Sequence, residues 1–169
     1  MIPTSAGVRC WLIKSEPAVY SIDTLASQGK TSWEGIRNYQ CRNHMRDNMK
    51  IGEPVLFYHS NSEPSAVVGL ATVASAPYPD PLQFDGKSGY HDPAATPDAP
   101  RWHMVDFAFV EKFPAPVGLD VLRADPALAG LLVASKGNRH SIQPVAPAHF
   151  LRITELARST RARGLLGAP

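Results

Sequence analysis

A chain of 169 residues has room for one globular domain with a real core, and little beyond it. A hydrophobic fraction of 44% and an aromatic fraction of 8% exclude a disordered chain. No apolar run approaches the roughly 20 residues that a membrane-crossing helix needs, and the net charge of +2 is too small to identify a partner until its distribution is read.

Met1–Arg9 lacks the basic segment and apolar stretch of a secretory signal. The two cysteines, Cys10 and Cys41, are too few for a disulfide framework and too far apart for a paired metal knuckle, so a reduced cytoplasmic compartment is expected. Val8–Lys14 reads as a first strand, stopped by Ser15-Glu16-Pro17. Ser21–Ala26 reads as a short capped helix and Asn38–Met49 as a second, closed near Gly52. Pro54–Ser60 and Ala66–Ala74 are β-rich, with Gly69 marking a bulge or a close backbone approach. Tyr78–Pro100 is a long loop studded with Pro, Asp and Gly. Trp102–Phe113 follows as a strand, with Val105, Phe107 and Phe109 on one face and Asp106 on the other. Short helical pieces are expected at Leu119–Leu122 and Pro126–Leu132, and Ser141–Val145 is placed to close the sheet. A last helix starts at Pro147 and turns Phe150, Leu151, Ile153 and Leu156 inward. Strands outnumber helices, which points to an α+β fold: a curved mixed sheet or partial barrel with flanking helices.

Charge is segregated along the chain. Lys30, Arg37, Arg42, Arg46 and Lys50 face only Glu34 and Asp47 in their segment, and Lys136–Arg163 has six cations against Glu155. Residues 76–126 reverse this, with eight carboxylates and four cations. Two basic segments on one face would suit a phosphate backbone, with the acidic middle elsewhere; an unevenly charged solvated surface is the plainer alternative.

The segment Ser32-Trp33-Glu34-Gly35-Ile36-Arg37-Asn38-Tyr39-Gln40-Cys41-Arg42-Asn43 carries most of the chemistry. Burying so many amides and guanidinia would demand a partner for each, so a polar cleft is one explanation. Trp33 or Tyr39 would then stack on a base, Asn38 and Gln40 would read its edge, and Arg37 and Arg42 would hold phosphates. A loop that packs Trp33 on the core and caps a helix with Asn38 explains the same residues. Lys14-Ser15 and Tyr58-His59-Ser60-Asn61 leave strand ends with polar groups suited to a ligand site. Catalytic motifs are missing: the histidines do not fall at metal-ligand spacing, and there is neither a nucleophile elbow nor a phosphate-cradling glycine loop. Tyr90-His91-Asp92 reads as loop structure, because adjacent side chains rarely face each other.

From about Cys10 to Leu156 the chain resembles the EVE domain, a member of the PUA-like superfamily and a relative of the YTH readers of methylated adenine. The matching stretches are Trp11–Pro17, Trp33–Gln40, Leu56–Asn61, Tyr78-Pro79-Asp80 with Gln83-Phe84-Asp85, Trp102–Asp106 and Ser141–Val145. The resemblance implies a PUA-like mixed β pseudo-barrel over residues 10–157, between an N-terminal extension (1–9) and a basic tail (158–169). It implies a monomeric reader of DNA or RNA that accepts a flipped-out modified base, a modified cytosine foremost, with no cofactor, metal, membrane or catalysis. Trp33 becomes the aromatic wall, with Lys14 and Ser15 beside it. Asn38, Tyr39, Gln40, Tyr58, His59, Ser60 and Asn61 form the rim, and Arg37, Arg42 and Arg139 contact phosphates. Two positions depart from the pattern: Cys41, where a small residue such as alanine is usual, and His140, where leucine is usual. The rival is a hydrolase of modified nucleosides of the ASCH type, with Lys14 or His59 as base or activator; a third reading is a protein-interaction module with a vestigial cleft.

Overall fold

The computed structural model describes residues 7–166, with side chains described as far as Ser159. In chain order it has β1 (Cys10–Ser15), α1 (Ile22–Gln28), β2 (Lys30–Ser32) and α2 (Tyr39–Asn43), which runs into a π-helical turn at His44–Asn48. Then come β3 (Pro54–His59), β4 (Ala66–Val73), β5 (Tyr78–Pro79), β6 (His103–Met104) and β7 (Asp106–Gly118). The chain ends with α3 (Leu119–Ala124), β8 (Ile142–Val145) and α4 (Pro147–Leu166), and short 3-10 turns lie at Pro81–Gln83, Pro126–Leu128 and Leu132–Ala134. The expected tail boundary at residue 158 falls inside α4, while Arg161 and Arg163 lie outside the described side chains.

Six strands form one curled sheet in the order β2-β7-β4-β3-β1-β8, and β5 pairs with β6 in a separate ribbon. Only β1 and β3 are parallel; every other pair is antiparallel. Both faces of the central strands are covered, so these strands read as continuous apolar runs rather than alternating ones. Trp11, Ile13, Val55 and Phe57 face one cluster, with Ile22 and Leu25 of α1 and Met45 and Met49 of the π-turn segment. Their neighbours Cys10, Leu12, Leu56 and Tyr58 face a second cluster under α3 and α4, with Leu122, Phe150, Ile153 and Ala157. In α4 the buried stripe is Phe150, Ile153, Thr154 and Ala157; Leu151, expected inside, is 38% exposed because it lies off the stripe.

The β7 strand changes faces along its length. Phe107 belongs to the first cluster and Phe113 and Val117 to the second, although all three share one parity. The register against β4 shifts between Leu70 and Ala71, which pair with Glu111 and Phe109, and this bulge re-aims the rest of the strand. Gly69 permits the close approach there: a Cβ would meet the Glu111 carbonyl oxygen at 2.3 Å.

The long 78–100 loop is pinned by buried polar groups. Gln83, fully buried, accepts from the Arg101 and Trp102 amides and donates to the Asp80 and Trp102 carbonyls, all within 2.9 Å. Asp92 accepts from the Trp102 indole at 2.8 Å. Gln83 and Asp92 thus tie the loop to the Arg101-Trp102 stretch, which is how a Pro- and Asp-rich loop acquires a single conformation.

Candidate base-recognition site

The C-terminal ends of β1 and β3 lie side by side because these two strands run parallel, with Ser15 in register with His59. The Ser60 amide donates to the Ser15 carbonyl at 3.0 Å, extending the pairing one residue past the end of β3. Ser15 turns its hydroxyl to the Tyr20 carbonyl at 2.7 Å. Lys14 is half-buried and donates its ammonium to the Asn138 carbonyl at 3.0 Å. Burial holds the Lys14 pKa below that of a free lysine. Asn61 follows with φ of 48°, a left-handed conformation that asparagine tolerates, and turns the chain away.

Trp33 joins this end from the other side. Its amide donates to the Val105 carbonyl at 3.0 Å, and its ring stands edge-to-face with Tyr20, Phe57 and Phe107 at centroid distances of 5.9, 6.0 and 5.5 Å. The ring is therefore anchored on the core yet only partly buried. Phe57 in turn contacts the His59 ring at 5.8 Å. A continuous run of contacts thus links Ser15, Tyr20, Trp33, Phe57 and His59.

His59 is locally defined. Its Nε2 accepts the Ile22 amide at 3.1 Å, so the neutral ring carries its proton on Nδ1. Burial lowers its pKa, opposed by Asp23 and assisted by Lys112. Burial likewise lowers the pKa of His44 and His103. Since the unfolded chain binds more protons than the folded one in this range, stability should be complete above about pH 6.5 and decline as pH falls toward the depressed folded values. Urea midpoints measured from pH 7.5 to 5.5 check this; a midpoint that holds steady or rises on acidification contradicts it.

Asn38 is the N-cap of α2, its Oδ1 accepting the Cys41 amide at 3.0 Å, and Tyr39 and Gln40 are exposed on the first turn. Cys41 is fully buried, its thiol against the Ile142 carbonyl, which ties this turn to the start of β8. Tyr39 stacks on Trp102 at 4.8 Å and 25°, with Arg42 4.9 Å from its centroid. Arg42 also donates to the Asn43 side chain and the Arg101 carbonyl.

Three expectations are corrected here. Tyr58 is 3% exposed and belongs to the second core cluster, because strand alternation sends it to the face opposite His59. Arg37 is half-buried and directs its donors into the protein: it donates to Asp80 at 2.9 Å and twice to the Tyr90 carbonyl at 2.9 and 2.8 Å. The acidic middle does not lie wholly elsewhere: three of its carboxylates pair with cations of the basic segments, as Lys30–Asp106, Arg37–Asp80 and Arg152–Asp125. Arg139 stays exposed and reaches no carboxylate within 4 Å among the described residues. Asn138 and Tyr20 were missed in the sequence; the turn signal Gly137-Asn138 pointed to the first, and nothing local marked the second. No cluster of three or more His, Cys, Asp or Glu that could hold a metal occurs among the described residues, and no described helix is long and apolar enough to cross a membrane.

The chain matches the EVE domain over residues 9–156. It belongs to the EVE domain family. Human thymocyte nuclear protein 1 is 38% identical over 158 residues, which cover 83% of this chain and 70% of that protein. A hypothetical protein from Leishmania major superposes with a TM-score of 0.85 at 38% identity, covering 91% of this chain and 97% of the other. The human THYN1 protein, crystallised in complex with DNA containing 5-methylcytosine, superposes with a TM-score of 0.81 at 33% identity, covering 88% and 97%. The EVE fold accounts for the curled mixed sheet, and the strand ends that carry Lys14, Ser15 and His59 fall within the family match.

Proposed function

We propose that this EVE domain captures a modified cytosine, 5-methylcytosine foremost, flipped out of DNA, and does not convert it chemically. The observation that carries the reading is the likeness to a family member whose structure holds 5-methylcytosine DNA, over nearly all of both chains. Ser15 and His59, joined to Trp33 through Tyr20 and Phe57, are the local support.

Extracting a base from a duplex costs a few kcal/mol, and stacking on an aromatic ring returns roughly 1–3 kcal/mol. Trp33 supplies that ring in this reading. Lys14 donates toward a carbonyl or ring nitrogen of the base, its ammonium already steadied by Asn138. His59 adds a donor at Nδ1, because Ile22 occupies its other nitrogen. Discrimination of a single methyl group is worth roughly 1–3 kcal/mol, so moderate preference over plain cytosine is expected.

Replacing His59 by Gln keeps a neutral hydrogen-bonding group, and binding of 5-methylcytidine should weaken by about 0.5–1.5 kcal/mol rather than collapse. Calorimetry measures that change, and mass spectrometry of the same nucleoside after long incubation measures turnover. An altered product that forms with the wild type and vanishes with Lys14→Ala or His59→Gln would establish a hydrolase and end the reader proposal. An amide cannot relay a proton, so general acid–base catalysis would lose about 10²–10⁴-fold in rate.

A further inference from the structure

Tyr39 takes no part in the contacts that link Ser15, Trp33 and His59, yet it is 48% exposed and firmly held. Asn38 caps the turn that carries it, and the Cys41 thiol lies against the Ile142 carbonyl. Ile142 pairs with Ile13, so this turn sits beside the end of β1 that bears Lys14. The inner face of the Tyr39 ring stacks on Trp102 at 4.8 Å and 25°. Trp102 is buried and fixed in turn, its backbone by Gln83 and its indole by Asp92.

Two cations stand at the border of the Tyr39 ring and not over it. The Arg42 guanidinium carbon lies 4.9 Å from the Tyr39 centroid and 5.6 Å from that of Trp102. With the 4.8 Å between the rings this makes a nearly equilateral triangle, so Arg42 flanks the stacked pair. Arg101 is 5.9 Å from the Tyr39 centroid and donates to its hydroxyl, which puts it at the edge of the phenol. The outer face of Tyr39 is left to solvent. Arg101 is paired with Asp92 at 3.5 Å, whereas Arg42 reaches no carboxylate within 4 Å among the described residues.

We propose that this face is a second stacking platform, which holds the base next to the recognised one in the bound strand, with Arg42 beside it for a phosphate of that strand. A nucleotide matches both features at once: its base offers a planar face, and its backbone brings the anion that Arg42 lacks. An apolar side chain would leave the guanidinium unanswered, and a free phosphate would leave the ring uncovered. Because Trp102 already immobilises the ring, little side-chain entropy is lost when a base settles on it. The proposal rests on the reading of the chain as a nucleic-acid reader and extends it from one base to two.

The test uses short single-stranded oligonucleotides with a central 5-methylcytosine, its two neighbours intact or either one abasic, together with free 5-methylcytidine. Wild type should lose about tenfold in affinity when one of the two neighbours is abasic. Tyr39→Ala should bind the intact oligonucleotide about tenfold more weakly, beyond any change for the free nucleoside, and should no longer sense the abasic position. Tyr39→Phe keeps the ring and should behave as wild type. A wild type indifferent to both abasic positions, or a Tyr39→Ala variant that still senses one, would overturn the platform. So would a Tyr39→Phe variant as weak as Tyr39→Ala, which would make the hydroxyl the contact, or an equal loss for the free nucleoside, which would put Tyr39 at the rim of the base site. A wild type that binds no oligonucleotide would overturn it as well. The same series with cytosine at the centre keeps the two readings apart: equal binding of cytosine and 5-methylcytosine would remove the base-reading proposal alone, and the abasic comparison would still decide the platform.

Discussion

Trp33→Ala is expected to weaken binding of 5-methylcytidine by about ten- to a hundredfold, corresponding to roughly 1–3 kcal/mol of lost stacking. The same substitution will also cost stability. In the sequence, Glu34 and Gly35 beside Trp33 turn it toward a cleft, with a stability cost below the roughly 3–5 kcal/mol of deleting a core Trp. The three edge-to-face aromatic contacts set the size of that cost: each is worth about 0.5–1.5 kcal/mol beyond the area covered, so a destabilisation of about 2–4 kcal/mol is expected. Trp33→Phe separates the two effects, since it retains an aromatic face with less disturbance. Calorimetric titration of each folded variant, with folding verified by circular dichroism, provides the measurement. A folded Trp33→Ala protein that binds the nucleoside as tightly as wild type would remove Trp33 from the site.

Arg37→Ala is expected to destabilise the protein by about 3–5 kcal/mol, the range for breaking a buried ion pair from one side. Asp80 is 1% exposed and would keep the amides of Gly35 and Leu82, at 2.8 Å each, but lose its counter-charge. Tyr90 would lose both guanidinium donors to its carbonyl, releasing the 78–100 loop from the Trp33–Asn38 segment. Arg37→Lys should fall between the two, because a lysine keeps the charge but not the planar fork. Urea denaturation measures the stability, and limited proteolysis reports the loop. Should Arg37→Ala lose less than about 1 kcal/mol while the salt slope for oligonucleotide binding drops, Arg37 is a phosphate contact after all. The two roles therefore leave opposite signatures in one variant.

The fold and part of the site are legible in the residues themselves. Local rules account for the Ser21 cap, the Asn38 cap and the close approach at Gly69, because each depends on a few neighbouring atoms. The alternation that buries Tyr58 was also present in Leu56-Phe57-Tyr58-His59, and a strict period of two would have excluded Tyr58 from a site built on His59. Charge segregation misled for a different reason: ion pairs form between segments distant in the chain, and a linear count of cations and carboxylates does not see them.

Composition, apolar runs and turn signals were enough to determine an α+β domain with a continuous apolar β1 and β3, because burial on both faces leaves a mark in each residue. They also determined which short stretches are too polar for a core. Only the tertiary structure decided that Lys14, Ser15 and His59 share one sheet end, since parallel pairing of β1 with β3 is a long-range event. It likewise decided that Trp33 is both anchored and partly open, and that Arg37 is paired with the buried Asp80. The physical reason is common to all of these: a side chain's type fixes what it can do, but its partners are set by contacts that cross the whole chain.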